Sequence, residues 1–215
     1  MPPELIATGT LIFAYLLGSV STAIIVCQLL GLPDPRTEGS HNPGATNVLR
    51  LGGKGPAILT LLGDMLKGVV PVLIAKYGLH LAPAWAAAAG FAAFLGHLFP
   101  VFFHFEGGKG VATALGILMV LHWPLGLSVI ALWVIAFGAT RISSLGSIAG
   151  FVAAPFLCAY MAPDYLLGVS LMSVVLLSRH HRNIRALIRG EERRFSRKKD
   201  KAADPSAGPD SPRAE

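Results

Sequence analysis

Of the chain's 215 residues, 53% are hydrophobic and only 14% charged, against about 25% charged in an average soluble domain. At a mean hydropathy of +0.59, too little polar side chain remains to coat a water-facing surface, which excludes an ordinary soluble domain and points to the membrane. The net charge of +6 does not indicate nucleic acid. Eleven of the 18 Lys and Arg residues lie at or after Arg179, beyond the last apolar segment and without the run of interleaved aromatics that single-stranded nucleic-acid binding uses. Basic residues in that position suit an anionic membrane surface.

The chain opens Met1-Pro2-Pro3-Glu4, without the basic n-region of a cleaved signal, so the uncharged run 5–30 is expected to remain as a first span. The loop after it carries Gly39-Ser40-His41-Asn42-Pro43-Gly44-Ala45-Thr46-Asn47, followed by Arg50. Gly, Asn and Pro set turns with unobstructed backbone amides, and a helix starting near Thr46 would add its positive dipole end, a combination that binds anions. Ser40 and Thr46 offer hydroxyls, and Arg50 offers a forked cation suited to phosphate. A plain turn would use the same small residues.

A second span, 55–75, is interrupted by Asp64 and Lys67. At i and i+3 on a helix they share a face, and a charge in a span is expensive unless paired, so an ion pair is expected there rather than chemistry. A third span, 81–105, is polar only at His97 and His104. Glu106-Gly107-Gly108-Lys109-Gly110 then opens the next apolar run. A glycine loop with one lysine can cradle phosphate with amides and neutralise it with the ammonium, although the spacing is not that of a Walker A loop. Residues 51–55 echo the same pattern, so the tetrapeptide alone is weak evidence.

Residues 111–139 carry no charge and are broken at His122-Trp123-Pro124, and 111–121 as a helix would reach only about 16 Å. Arg141 precedes Ser143, Ser144 and Ser147, a helix start or N-cap. Ala162-Pro163-Asp164 marks another turn. Arg179-His180-His181-Arg182-Asn183-Ile184 ends the apolar region and places His180 and Asn183 on one helical face. A proton acceptor and a hydroxyl-orienting amide are the chemistry those two supply; His181, Arg182 and Arg185 read as a juxtamembrane basic cap.

The positive-inside rule orders these segments. With Arg36, Arg50, Lys54, Lys109, Arg141 and everything from Arg179 onward on one side, 16 of the 18 basic residues face the cytoplasm. That requires an all-α integral membrane protein of seven transmembrane helices, some short, with the N-terminus out and the C-terminus in. Residues 1–181 form the membrane domain with a site on the cytoplasmic face. Residues 182–215 form a basic and then disordered cytoplasmic tail, with no catalytic role from about residue 201. Cys27 and Cys158 sit in apolar runs as inert thiols, and no His-x-x-x-His or Cys/His cluster assembles ligands, so no metal or cofactor is expected.

From Gly18-Ser19 to Asn183-Ile184 the chain resembles the bacterial membrane acyl-phosphate:glycerol-3-phosphate acyltransferase family. The resemblance rests on the Gly39–Asn47 motif, Gly63-Asp64-x-x-Lys67-Gly68, Gly96-His97, the Gly107–Gly110 loop and Arg179-His180-x-x-Asn183-Ile184, in that order. It implies acyl transfer from acyl-phosphate to glycerol-3-phosphate, giving lysophosphatidic acid for phospholipid biosynthesis in the bacterial cytoplasmic (inner) membrane. It also implies catalytic roles for Ser40, Arg50, Lys109, His180 and Asn183. Substrate phosphates would be held by Gly44, Ala45, Thr46, Asn47, Gly107, Gly108, Gly110 and Ser144. Direct transfer without an acyl-enzyme is the favoured route. None of the seven histidines begins the His-x-x-x-x-Asp of the soluble-type glycerolipid acyltransferases. The rival reading is a membrane transporter for organic phosphates, which would also use short helices and glycine loops; acyl-chain preference, oligomeric state and protein partners are not legible.

Overall fold

The structure, a computed structural model, describes residues 3–195; the expected disorder from residue 201 lies outside them. The described residues are helical with no strand. In chain order the helices are α1 (Pro3–Gly18), α2 (Thr22–Leu29), α3 (Ala45–Gly52), α4 (Lys54–Leu73), α5 (Pro83–Leu98), α6 (Val111–Leu121), α7 (Trp123–Thr140), α8 (Ser143–Met161), α9 (Leu166–Arg179) and α10 (His181–Ile188). Five stretches are long and apolar enough to cross a membrane: Glu4–Leu29, Lys54–Gly78, Pro83–Phe103, Trp123–Thr140 and Ser143–Met161. Helix α6 is a shorter apolar helix, and α9, with 14 residues, lies where the seventh span was expected. Large side chains such as Phe156 (75% exposed) and Leu167 (75%) point outward, as lipid contact requires and an aqueous surface would not tolerate in such number.

The first apolar run is not one straight helix. It breaks at Ser19–Ser21, where the ammonium of Lys67 donates to the Val20 carbonyl at 2.9 Å. Close crossings lock the bundle through glycine. A methyl on Gly18 would lie 2.1 Å from the Ala93 carbonyl oxygen, and one on Gly96 would lie 2.3 Å from that of Tyr15, so α1 and α5 touch backbone to backbone. Gly68 against Thr113 and Gly116 against Met65 do the same for α4 and α6. Small residues allow this approach where no hydrophobic drive exists between helices in lipid.

Helix α6 has 11 residues and solves its short length by burial. Ile117, Leu118 and Leu121 are almost fully enclosed. At its far end Lys76 donates to the carbonyls of Val120 (3.1 Å) and Leu121 (2.6 Å), satisfying acceptors that a helix terminus otherwise leaves open. Lys76 is thus a cap for α6. Helix α7 starts at that end and returns, bringing Arg141, Ser143 and Ser144 beside the start of α3, where Thr46 Oγ1 and Ser143 Oγ stand 3.2 Å apart.

Candidate active site

A cavity of about 570 Å³ opens at this end of the bundle. Its walls come from the 39–42 loop, Arg50 on α3, the glycine loop before α6, and the stretch from Arg179 to Arg193. Five cationic side chains face it: Arg50, Lys109, Arg179, Arg182 and Arg193. Glu191 and Glu192 also lie on its wall, so the lining is net cationic, the balance that attracts anions.

The loop 35–47 is built around Asn47. Its buried amide donates to the carbonyls of Pro35 and Glu38, both at 2.9 Å, and its oxygen accepts the Ser40 N–H at 2.9 Å. Gly39 is held at φ +72, and a methyl there would strike the Asn47 oxygen at 2.2 Å. Asn47 is therefore spent on shaping the loop that puts Ser40 on the cavity wall. Gly44, Ala45 and Thr46 form the first turn of α3 and do not line the cavity.

The glycines before α6 pack inward. A methyl on Gly107 would lie 2.1 Å from the His97 carbonyl oxygen, one on Gly108 2.3 Å from His97 Nε2, and one on Gly110 2.2 Å from the Phe94 ring. Arg179 also holds the loop, donating to the carbonyls of Gly107 and Gly108 at 3.2 Å each. Lys109 is thus carried on a loop held by both sets of contacts, and its Nζ donates to Asn183 Oδ1 at 2.5 Å. Burial pulls the ammonium down to about 8, with Glu192 opposing the drop and Arg179 and Arg50 adding to it.

Asn183 donates in turn to Glu192 Oε1 at 2.6 Å, and the same oxygen accepts from Ser144 Oγ at 2.6 Å. Lys109, Asn183, Glu192 and Ser144 therefore form one chain of polar contacts. Glu192 was not singled out from the sequence, and Arg179 was named in a motif without a role of its own. The acids at 191 and 192 sit in a basic stretch and read as solvated charge; only their isolation after Gly190 marks them. The segment ending at Phe195 lies back over the site: Phe195 N–H donates to the Arg141 carbonyl at 2.9 Å, and the Arg50 guanidinium sits 5.1 Å from the Phe195 ring centre.

His180 lies just beyond α9 and is 2% exposed. The helix breaks there, so His180 and Asn183 do not share one continuous helix. Its Nδ1 is 2.9 Å from the Leu176 carbonyl, which requires Nδ1 to be the donor. Burial above all pulls the imidazole down to about 4. It is therefore neutral near pH 7 and a weaker base than a free histidine. It does not line the cavity.

Fold and site together define an integral membrane protein with a net-cationic cavity at one end of its helical bundle. The sequence matches the family Glycerol-3-phosphate acyltransferase over residues 8–190, and the chain belongs to that family. Among its relatives, a glycerol-3-phosphate acyltransferase of Methylococcus capsulatus is 56% identical over 87% of this chain and 95% of its own. One of Thioalkalivibrio sulfidiphilus is 52% identical over 90% and 96%. The crystal structure of PlsY, an integral membrane glycerol 3-phosphate acyltransferase, in its glycerol 3-phosphate form superposes with a TM-score of 0.84 at 38% identity, covering 88% of this chain and 96% of that one. Its lysophosphatidic acid form gives a TM-score of 0.82 at 36% identity, covering 88% and 95%.

Proposed function

We propose that this chain transfers a fatty acyl group from acyl-phosphate to glycerol-3-phosphate, releasing lysophosphatidic acid and inorganic phosphate, at the cytoplasmic face of the bacterial inner membrane. The carrying observation is the meeting of Ser40, Arg50, Lys109 and Asn183 at one cationic cavity. Both substrates are anions that repel each other, and the cavity's cations oppose that repulsion and let the two be held together.

The reaction asks little acid chemistry of the protein. The acceptor hydroxyl adds to the acyl carbonyl, the tetrahedral oxyanion collapses, and phosphate leaves as a stable anion without needing protonation by a strong acid. Lys109 and Arg50 are placed to offset the charge that develops on the way. Asn183, holding Lys109 through its oxygen, sets where that ammonium points. A buried, weakly basic His180 supports a proton route to a phosphate oxygen rather than to imidazole, and direct transfer without an acyl-enzyme. The N-out, C-in topology is part of the same proposal. It is supported by the charge pattern and by the meeting of the 39–47 loop, the Gly107–Gly110 loop and the Arg179–Asn183 stretch at one end of the bundle.

Purified protein supplied with acyl-phosphate and glycerol-3-phosphate should yield lysophosphatidic acid by mass spectrometry, and acyl-CoA in place of acyl-phosphate should not. Robust product from acyl-CoA alone would contradict the donor assignment; phosphate-ester flux into proteoliposomes without turnover would contradict the enzyme.

A further inference from the structure

Three ionisable side chains inside the spans are absorbed by none of the roles above. Asp64 and Lys67 of α4 and His97 of α5 are 2%, 5% and 6% exposed. Lys67 Nζ stands 2.8 Å from Asp64 Oδ1, and also reaches the Val20 carbonyl at the break between α1 and α2. Had the pair served only to cancel charge, it would end there. Instead the same Asp64 oxygen faces His97 Nδ1 at 3.6 Å, and that nitrogen, though buried, has no hydrogen-bond partner. At this distance the carboxylate orients the ring by its charge rather than through a hydrogen bond.

The far edge of the ring meets the glycine loop. His97 Nε2 lies where a Cβ on Gly108 would be, 2.3 Å away, and the His97 carbonyl accepts the Gly108 N–H at 3.2 Å. The next residue is Lys109. The contacts thus run unbroken from an ion pair within the membrane, through the imidazole, to the peptide that carries the cavity's lysine.

We infer that Asp64 and His97 are positioning residues for the acyl-transfer reaction: the carboxylate fixes the imidazole, and the imidazole fixes the Gly107–Lys109 loop so that the ammonium meets Asn183 and the substrate phosphate. The inference rests on the reading that Lys109 acts on that phosphate. Neither residue lines the cavity. Arg179, donating to the Gly108 carbonyl, is a second hold on the same loop.

The test uses the full chain, purified, with thermal unfolding as the check on folding. His97→Asn places a small amide near the Nδ1 position but withdraws the Nε2 edge from under Gly108. Asp64→Asn combined with Lys67→Met removes the ion pair as a unit and avoids leaving one charge unpaired in the span. Both variants are expected to fold, to lose about 10- to 100-fold in kcat/KM for glycerol-3-phosphate, the scale of a misplaced catalytic group, and to keep KM for acyl-phosphate within a few-fold. A second readout bypasses catalysis. The pH dependence of Lys109 acetylation, followed by mass spectrometry, should show a midpoint near 8 in the native protein and move upward in both variants as the loop releases the ammonium to water. Native kinetics and a native Lys109 midpoint in folded variants would reduce the trio to a helix-packing ion pair and overturn the inference. Lys109→Ala, run alongside, separates the two readings: if it too is fully active, the phosphate-site assignment has failed, and if it alone is impaired, only the positioning role has.

Discussion

Lys109 titrates at about 8 rather than at 10.5, because burial disfavours its charge. The sign of the consequence follows directly. The ammonium is the useful form, it is fully present below that value, and it is lost as pH rises through it. The kcat/KM for glycerol-3-phosphate should therefore fall about tenfold per pH unit above roughly pH 8. Lys109→Arg keeps a cation at every accessible pH, so its activity should be lower but should lack this alkaline limb. A limb that persists unchanged in Lys109→Arg would assign the titration to another group. Glu192 holds the lysine's value up, so Glu192→Gln should shift the limb to lower pH.

The glycine loop makes its demands at the scale of an element. From sequence, a methyl on Gly107 or Gly108 would be expected to block backbone approach to phosphate; the structure places the collision on the other side, against His97 and Leu98. Gly107→Ala meets backbone oxygens at 2.1 and 2.5 Å, which cannot swing aside, so it should lower folded yield. Gly108→Ala meets the His97 ring at 2.3 Å and the Pro43 backbone oxygen at a less severe 2.8 Å, so it should cost less folded yield than Gly107→Ala and, in the protein that folds, raise KM for glycerol-3-phosphate. Equal behaviour of the two in yield and KM would count against the packing described. Residues 191–195 act likewise as a unit. A chain ending after Gly190 loses the carboxylate accepting from Asn183 and Ser144, hydrogen bonds to charge worth about 1.5–3 kcal/mol each, and should be nearly inactive. One ending after Asp200, where the tail read from the sequence begins, should retain turnover. The apolar segments were legible because hydropathy and charge are read directly from composition, and 111–121 was delimited correctly by Gly110 and His122-Trp123-Pro124. The break at Ser19–Ser21 was not, since no proline or charge marks it and its partner, Lys67, lies 47 residues away. Asn47 read as a phosphate ligand because sequence shows an amide and not which three backbone groups engage it. Glu192 read as tail because surface charge and site charge look alike until the chain folds back.

For the molecule as a whole, a single shared cavity requires one face for all the chemistry. Single cysteines at Ser40, Lys109 and Arg179 should label from the cytoplasmic side of intact cells or oriented vesicles, and one at His80 from the outside. Labelling of Lys109 and Arg179 from opposite sides would break the seven-span layout. The shared cavity also predicts how substrate charge is recognised. Losing one charge-assisted contact to a partly desolvated phosphate is worth about 2–4 kcal/mol, or about 30- to 1000-fold. The most direct measurement is therefore the ratio of kcat/KM for glycerol-3-phosphate over glycerol, in the native protein and in folded Lys109→Ala. The native ratio should be very large, and Lys109→Ala should lower kcat/KM for glycerol-3-phosphate by that factor with little change for glycerol, so that most of the preference disappears. A folded Lys109→Ala protein that keeps native turnover, native KM and native preference would make the loop a mere helix-opening turn and contradict the phosphate site.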